Sequence, residues 1–256
     1  MVFNSTEQTM GKTKHIAMWT CARSRSTLMT RAFQQLEGCV IFDEPLYPPY
    51  LATQEVDHPH RSEIVEYYDT DYQNVIRTIT GNLPPGASFS FQKHTANNLP
   101  PNYDLEWLMN LENFFLIRHP REMIASRQNI YSYPKDFTLK EIGLEDLYNL
   151  FTSLQDRTGN TPLVVDSADA IANPRRVLQV LCDRFDLCYS DGMLAWESGI
   201  RETDPLWAKS WYKTVINSSG FLPLTQQEIA LPEHLVPIVK QCLPFYAKLR
   251  EYSIAV

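Results

Sequence analysis

Glycine is scarce in this chain: there are nine in 256 residues, with none between residues 12 and 37. The first strand–turn–helix stretch, which falls in that gap, therefore lacks the G-x-x-x-x-G-K-[ST] loop of a Walker-type nucleotide site. Cysteine is sparse too. Cys21, Cys39, Cys182, Cys188 and Cys242 form no CxxC pair and no His/Cys group at zinc spacing. That pattern points away from a disulfide framework or a metal centre and toward reduced thiols in a cytoplasmic protein. No run of about 18 apolar residues occurs, so no membrane span is expected. Met1 to Lys14 is polar and lacks the apolar core of a signal peptide, and residues 1–13 are expected to form a flexible tail. Positive charge is also short, with 23 Lys and Arg against 30 Asp and Glu for a net charge of −7. A nucleic acid or an anionic membrane is a poor partner for such a surface. A local basic pocket remains compatible with it, as does a neutral or cationic small-molecule partner.

The hydrophobic content of 44% is ordinary for a globular protein. With no repeat, low-complexity tract or linker, residues 14–256 are expected to form a single domain. The chain is organised around His15 to Phe33, which reads as an apolar strand, a polar turn and a helix. The turn concentrates Arg23, Ser24, Arg25, Ser26 and Thr27. Free backbone N–H groups, the helix dipole and these donors converge on one point, as a phosphate site requires. A helix start capped by Ser24 or Ser26 with solvated arginines accounts for the same residues more plainly.

Further strands are expected at Cys39–Phe42, Ser88–Lys93, Asn113–Ile117 and Pro162–Val165. Helices are expected at Thr27–Leu36, Ser62–Thr80, Met123–Ile130, Leu144–Arg157 and Arg175–Phe185, the last capped by Asn173. Cys39–Phe42 is continuously apolar and reads as a strand buried on both faces. Leu46 to Arg61 reads as an irregular excursion, and Met193 to Phe221, with Trp196, Trp207, Trp211 and Tyr212, as a lid or binding loop. The closing helix, Pro232–Tyr252, is expected to break near Pro237 and Pro244. Alternating strands and helices predict an α/β three-layer sandwich around a mostly parallel sheet. In such a sheet the strand ends carrying Arg23–Thr27, Glu44, Lys93-His94 and Arg118 converge on one edge. Ser126 lies eight residues beyond Arg118, inside the following helix.

Leu116-Ile117-Arg118-His119-Pro120-Arg121-Glu122, with Ser126, resembles the 3′-phosphate motif of PAPS-dependent sulfotransferases. Ala22–Thr27 resembles that family's 5′-phosphosulfate loop, Asp43-Glu44-Pro45-Leu46 its acidic segment, and Val164–Asp169 with Asn173-Pro174 a later strand-and-helix block. The resemblance implies a P-loop-like sulfotransferase fold and PAPS as sulfuryl donor, with PAP as product and no metal. It implies Arg23, Ser24, Arg25, Ser26, Thr27, Arg118 and Ser126 as donor-binding residues, joined by Lys213 from the stretch that replaces the family's R-K-G loop. Arg25 stands where the family has glycine, which requires a negative φ at that residue. Lys93 and His94 are adjacent rather than two apart, so they are expected to face opposite sides of the sheet.

Sulfuryl transfer needs a base for the acceptor O–H or N–H and cations for the leaving phosphate. Glu44 is the first candidate base and His94 the second, with Arg23 and Lys93 as the cations. Asp43, Glu55 and Asp57 near the acceptor side suit a cationic group. The competing readings are a P-loop-type kinase and a non-catalytic nucleotide-binding protein. The first lacks its glycines and its Gly-Lys, and the second has no use for Glu44.

Overall fold

A computed structural model describes residues 13–56, 58–100, 104–130, 135–221 and 230–255. Five parallel strands form one sheet: β1 (Lys14–Thr20), β2 (Cys39–Asp43), β3 (Phe89–Thr95), β4 (Glu112–Ile117) and β5 (Leu163–Asp166), in the order β2-β3-β1-β4-β5. The expected tail and Asp57 fall largely or wholly outside the described residues.

Alternation along the central strands divides the core into two layers. Ile16 and Met18 of β1 pack with Met29 and Phe33 of the helix Ser26–Phe33 and with Val177, Leu178 and Leu181 of the helix Pro174–Arg184. Ala17 and Trp19 face the other way, toward the helices Tyr72–Thr80, Leu144–Thr158 and Val236–Arg250. Helices on both faces of a parallel sheet make the three-layer α/β sandwich that the alternating pattern predicted.

Several local expectations are corrected. β2 is an edge strand and only half-buried, not enclosed on both faces; apolar composition alone does not distinguish an edge from a centre. Leu46–Arg61 contains the helix Tyr47–Thr53, because Pro48 and Pro49 occupy its first turn, where no N–H is needed. The expected Ser62–Thr80 helix is two, Arg61–Tyr67 and Tyr72–Thr80, the second started by Asp71, whose side chain accepts from Asn74 N–H. Asn173 precedes its helix without a side-chain cap. Val236–Arg250 is continuous, with Pro237 in its first turn and Pro244 inside it. Burial of Val239, Cys242 and Leu249 against the core holds that helix together despite the lost hydrogen bond.

Candidate active site

Parallel strands and right-handed crossovers place the C-terminal strand ends on one edge. β1 ends at Thr20, and the turn to the next helix follows. Ser24 is fully buried, and its hydroxyl is shared with Thr20 Oγ1, which also donates to the Leu116 carbonyl at 2.8 Å. This ties the turn to β4. Ser26 opens the helix and Thr27 lies in its first turn, so the dipole points into the site.

Arg23 and Arg25 both adopt left-handed φ, +68° in each case, and Glu44 has φ +54°. The negative φ that arginine in place of glycine required is thus not what occurs. The turn keeps a glycine-like backbone and carries a guanidinium on it, at a cost of about 1–2 kcal/mol per residue. Three of the four non-glycine residues with positive φ among the described residues lie here. The strain is local to the site.

The two stretches that resemble phosphate motifs meet directly. Arg23 Nε donates to Ser126 Oγ at 3.2 Å, and Arg118 donates through Nη1 to the Arg23 carbonyl at 2.7 Å. Arg118 Nε and Arg25 Nη2 each lie 3.0 Å from Glu122 Oε2. One carboxylate is shared by two guanidiniums, and the Arg23 guanidinium, bonded to Ser126, lies beside them without a carboxylate partner among the described residues. Burial, aided by the Arg25 charge, pulls Arg118 down to about 10, and burial also lowers Arg23. Arg25 Nη1 is buried without a hydrogen-bond partner among the described residues. An excess of cationic donors with an orphaned N–H suits a phosphate dianion.

Beside this clamp lies a second cluster. Lys93 pairs in register with Asp43 across β2 and β3. Its Nζ is 2.9 Å from Asp43 Oδ1, 2.8 Å from Glu44 Oε1, 2.6 Å from Tyr212 Oη and 3.3 Å from Thr27 Oγ1. Burial alone would lower the Lys93 pKa, but Asp43 and Glu44 outweigh it and raise it. Asp43 is pushed up by burial, against the pull of Lys93. Its side chain is 2% exposed and that of Glu44 14%, so Glu44 is the carboxylate an incoming molecule can reach.

His94 is not brought to this cluster. It points to the opposite face, stacked on Trp19 at 4.5 Å between ring centres, with Nε2 3.0 Å from Gln92 Oε1. Burial drives its pKa down to about 3. Lys213 is exposed on the short helix Lys213–Ile216, away from both clusters' hydrogen bonds. Sequence reasoning placed Glu122 only within the 3′-phosphate motif, Tyr212 only among the aromatics of a binding loop, and Asp43 only in the acidic segment as an attractor of cations. The register of Asp43 with Lys93 becomes readable only once the strand order is known.

The chain matches the family described as "Sulfotransferase domain" over residues 14–253. It belongs to that family. Two curated relatives from Arabidopsis thaliana are similar to this sulfotransferase domain. "Branched-chain-amino-acid aminotransferase-like protein 2" is 30% identical over 92% of this chain and 41% of its own length. "Branched-chain-amino-acid aminotransferase-like protein 1" is 27% identical over 95% and 43%. The chain thus spans less than half the length of the curated relatives it matches. Among solved structures, a sulfotransferase from Alicyclobacillus acidocaldarius superposes with a TM-score of 0.54 at 13% identity, covering 93% of this chain and 95% of that one. That likeness establishes the fold, a P-loop-like sulfotransferase sandwich. Among the described residues, no helix is long and apolar enough to cross a membrane.

Proposed function

We propose that this sulfotransferase domain transfers a sulfuryl group from PAPS to a small-molecule acceptor, with Glu44 as general base. The observation that carries the reading is the adjacency of two unlike clusters on one sheet edge. One is an arginine-rich clamp built from Arg23, Arg25 and Arg118 with Ser126. The other is a lysine held between two carboxylates. Two motifs suited to the phosphates of one donor, beside a proton-accepting group for a second substrate, are what a group transferase requires.

Arg118, Ser126 and Arg25 would hold the 3′-phosphate side of the donor, and Arg23 with the N-terminus of the helix Ser26–Phe33 its 5′ side. PAPS brings an activated sulfuryl group whose transfer leaves charge on a phosphate oxygen. Lys93 and Arg23 stabilise that charge by fixed electrostatics. Glu44 takes the acceptor's proton, and Asp43 keeps Lys93 charged and aimed.

Calorimetry with PAP and with ATP separates this reading from a P-loop kinase. The expected result is PAP binding at least about tenfold tighter than ATP without added Mg²⁺, a difference of about 1.4 kcal/mol. Equal or tighter ATP binding contradicts it.

A further inference from the structure

The Lys93 ammonium carries three N–H donors, yet four oxygens lie within 3.3 Å of its Nζ. Asp43 and Glu44 sit at the end of β2, and Thr27 in the first turn of the helix Ser26–Phe33. The fourth oxygen, Tyr212 Oη, is carried in by the long loop after the helix Pro174–Arg184, and at 2.6 Å it is the nearest. It is also 3.1 Å from Asp43 Oδ1 and 3.5 Å from Glu44 Oε1. The phenol therefore accepts from the lysine and donates to a carboxylate. Its ring lies over Lys93, 4.5 Å from Nζ to the ring centre, and is buried.

Few chemical groups satisfy that position. An ammonium there would confront Lys93 with like charge and no lone pair to offer. A sulfuryl or phosphate oxygen would confront two carboxylates with no proton to offer. A neutral hydroxyl has both a lone pair and a proton, and it meets the proposed base in the arrangement an acceptor needs. Adjacent to Tyr212, the Trp211 carbonyl accepts from Arg23 Nη1 at 2.9 Å. Two consecutive loop residues thus occupy the cation of each cluster.

We infer that Tyr212 is a place-holder for the acceptor. Its hydroxyl occupies the position of the acceptor's hydroxyl between Lys93 and the Asp43–Glu44 pair, and an acceptor reacts by displacing it. The inference rests on the sulfotransferase reading above and adds to it a nucleophile class, an alcohol or phenol rather than a protonated amine. In the step so defined, the acceptor oxygen forms a bond to sulfur as the bond from sulfur to the 5′-phosphate oxygen breaks. The electron pair stays on that phosphate oxygen, and the acceptor's proton passes to Glu44.

Tyr212→Ala opens a space with the outline of phenol, and phenol with PAPS is the probe. The expected result is phenyl sulfate, detected by mass spectrometry, formed at least tenfold faster by Tyr212→Ala than by the parent chain. Benzylamine under the same conditions is expected to give no sulfamate. A Tyr212→Ala protein that binds PAP as the parent does but forms no phenyl sulfate, or sulfates benzylamine instead, overturns the inference and leaves the donor reading intact. Absence of PAP binding in the parent chain overturns the donor reading itself.

Tyr212→Phe keeps the ring and removes only the hydroxyl, so it covers the case in which the alanine variant does not fold. Hydrogen exchange of the amides of residues 208–216 is expected to quicken at least tenfold in Tyr212→Phe, because the loop has lost its hold on Lys93. Unchanged exchange there contradicts the place-holder role.

Discussion

Glu44 and Arg25 both hold a left-handed φ, in opposite halves of the site, and each supports a separate prediction. Glu44→Gln keeps the size and the contact to Lys93 but cannot take a proton. The expected loss in kcat is about 10²–10⁴-fold, with PAP affinity within about twofold because the base does not touch the clamp. Steady-state kinetics and calorimetry on the same preparation check both halves. Arg25→Gly relieves a left-handed φ of +68° and removes the guanidinium that shares Glu122 with Arg118. Thermal stability is expected to rise by up to about 1 kcal/mol, while PAP binding weakens about tenfold or more. A rise in affinity together with stability would show that arginine at this position serves no anion. Opposite signs from one substitution are a stringent check.

At the scale of elements, the loop that delivers Tyr212 is fastened to the helix that follows β1. Arg31, in the helix Ser26–Phe33, pairs with Asp204 at 2.7 Å, both side chains 2% exposed, and also reaches the Gly199 carbonyl. Asp204→Ala leaves a buried guanidinium without its counter-charge. The expected cost is roughly 3–5 kcal/mol of stability, read as a shift in a urea unfolding curve, and the loop's aromatic cluster around Trp207 is expected to become accessible to quenchers. The same elements show what sequence could convey. β1, its turn and the strand ends with Arg118 and Lys93 were legible, because an apolar run ending in a polar turn is a local pattern. Edge against centre for β2, the helix hidden behind Pro48 and Pro49, and the Asp43–Lys93 pairing were not, because each depends on which strands become neighbours. Tyr212 was legible only as one aromatic among four in a long loop. Its partners are more than 100 residues away in the chain.

Across the whole molecule, the buried polar face of β3 sets an acid limit. His94 titrates near 3 in the folded chain because burial disfavours its charge, whereas an unfolded histidine titrates near 6.5. A group with a depressed folded pKa supports the fold above the unfolded value and loses that support as pH falls toward the folded one. Between pH 6.5 and 4.5 this single residue is expected to remove about 2 kcal/mol. Urea denaturation at several pH values checks it, and His94→Gln is expected to flatten the slope over that window. If His94 were instead the base, the same variant would abolish transfer, whereas its place beside Trp19 predicts retained activity at neutral pH.

The clamp and the lysine–carboxylate cluster are expected to act on one donor and one acceptor. The direct test is a mass-spectrometric screen for +SO₃ products from PAPS across alcohols, phenols and amines, run with the parent chain and with Glu44→Gln. The account predicts a sulfated hydroxyl compound from the parent chain and its near absence with Glu44→Gln, while PAP binding is the same in both. No sulfated product from any acceptor class, or equal product from both proteins, would contradict it.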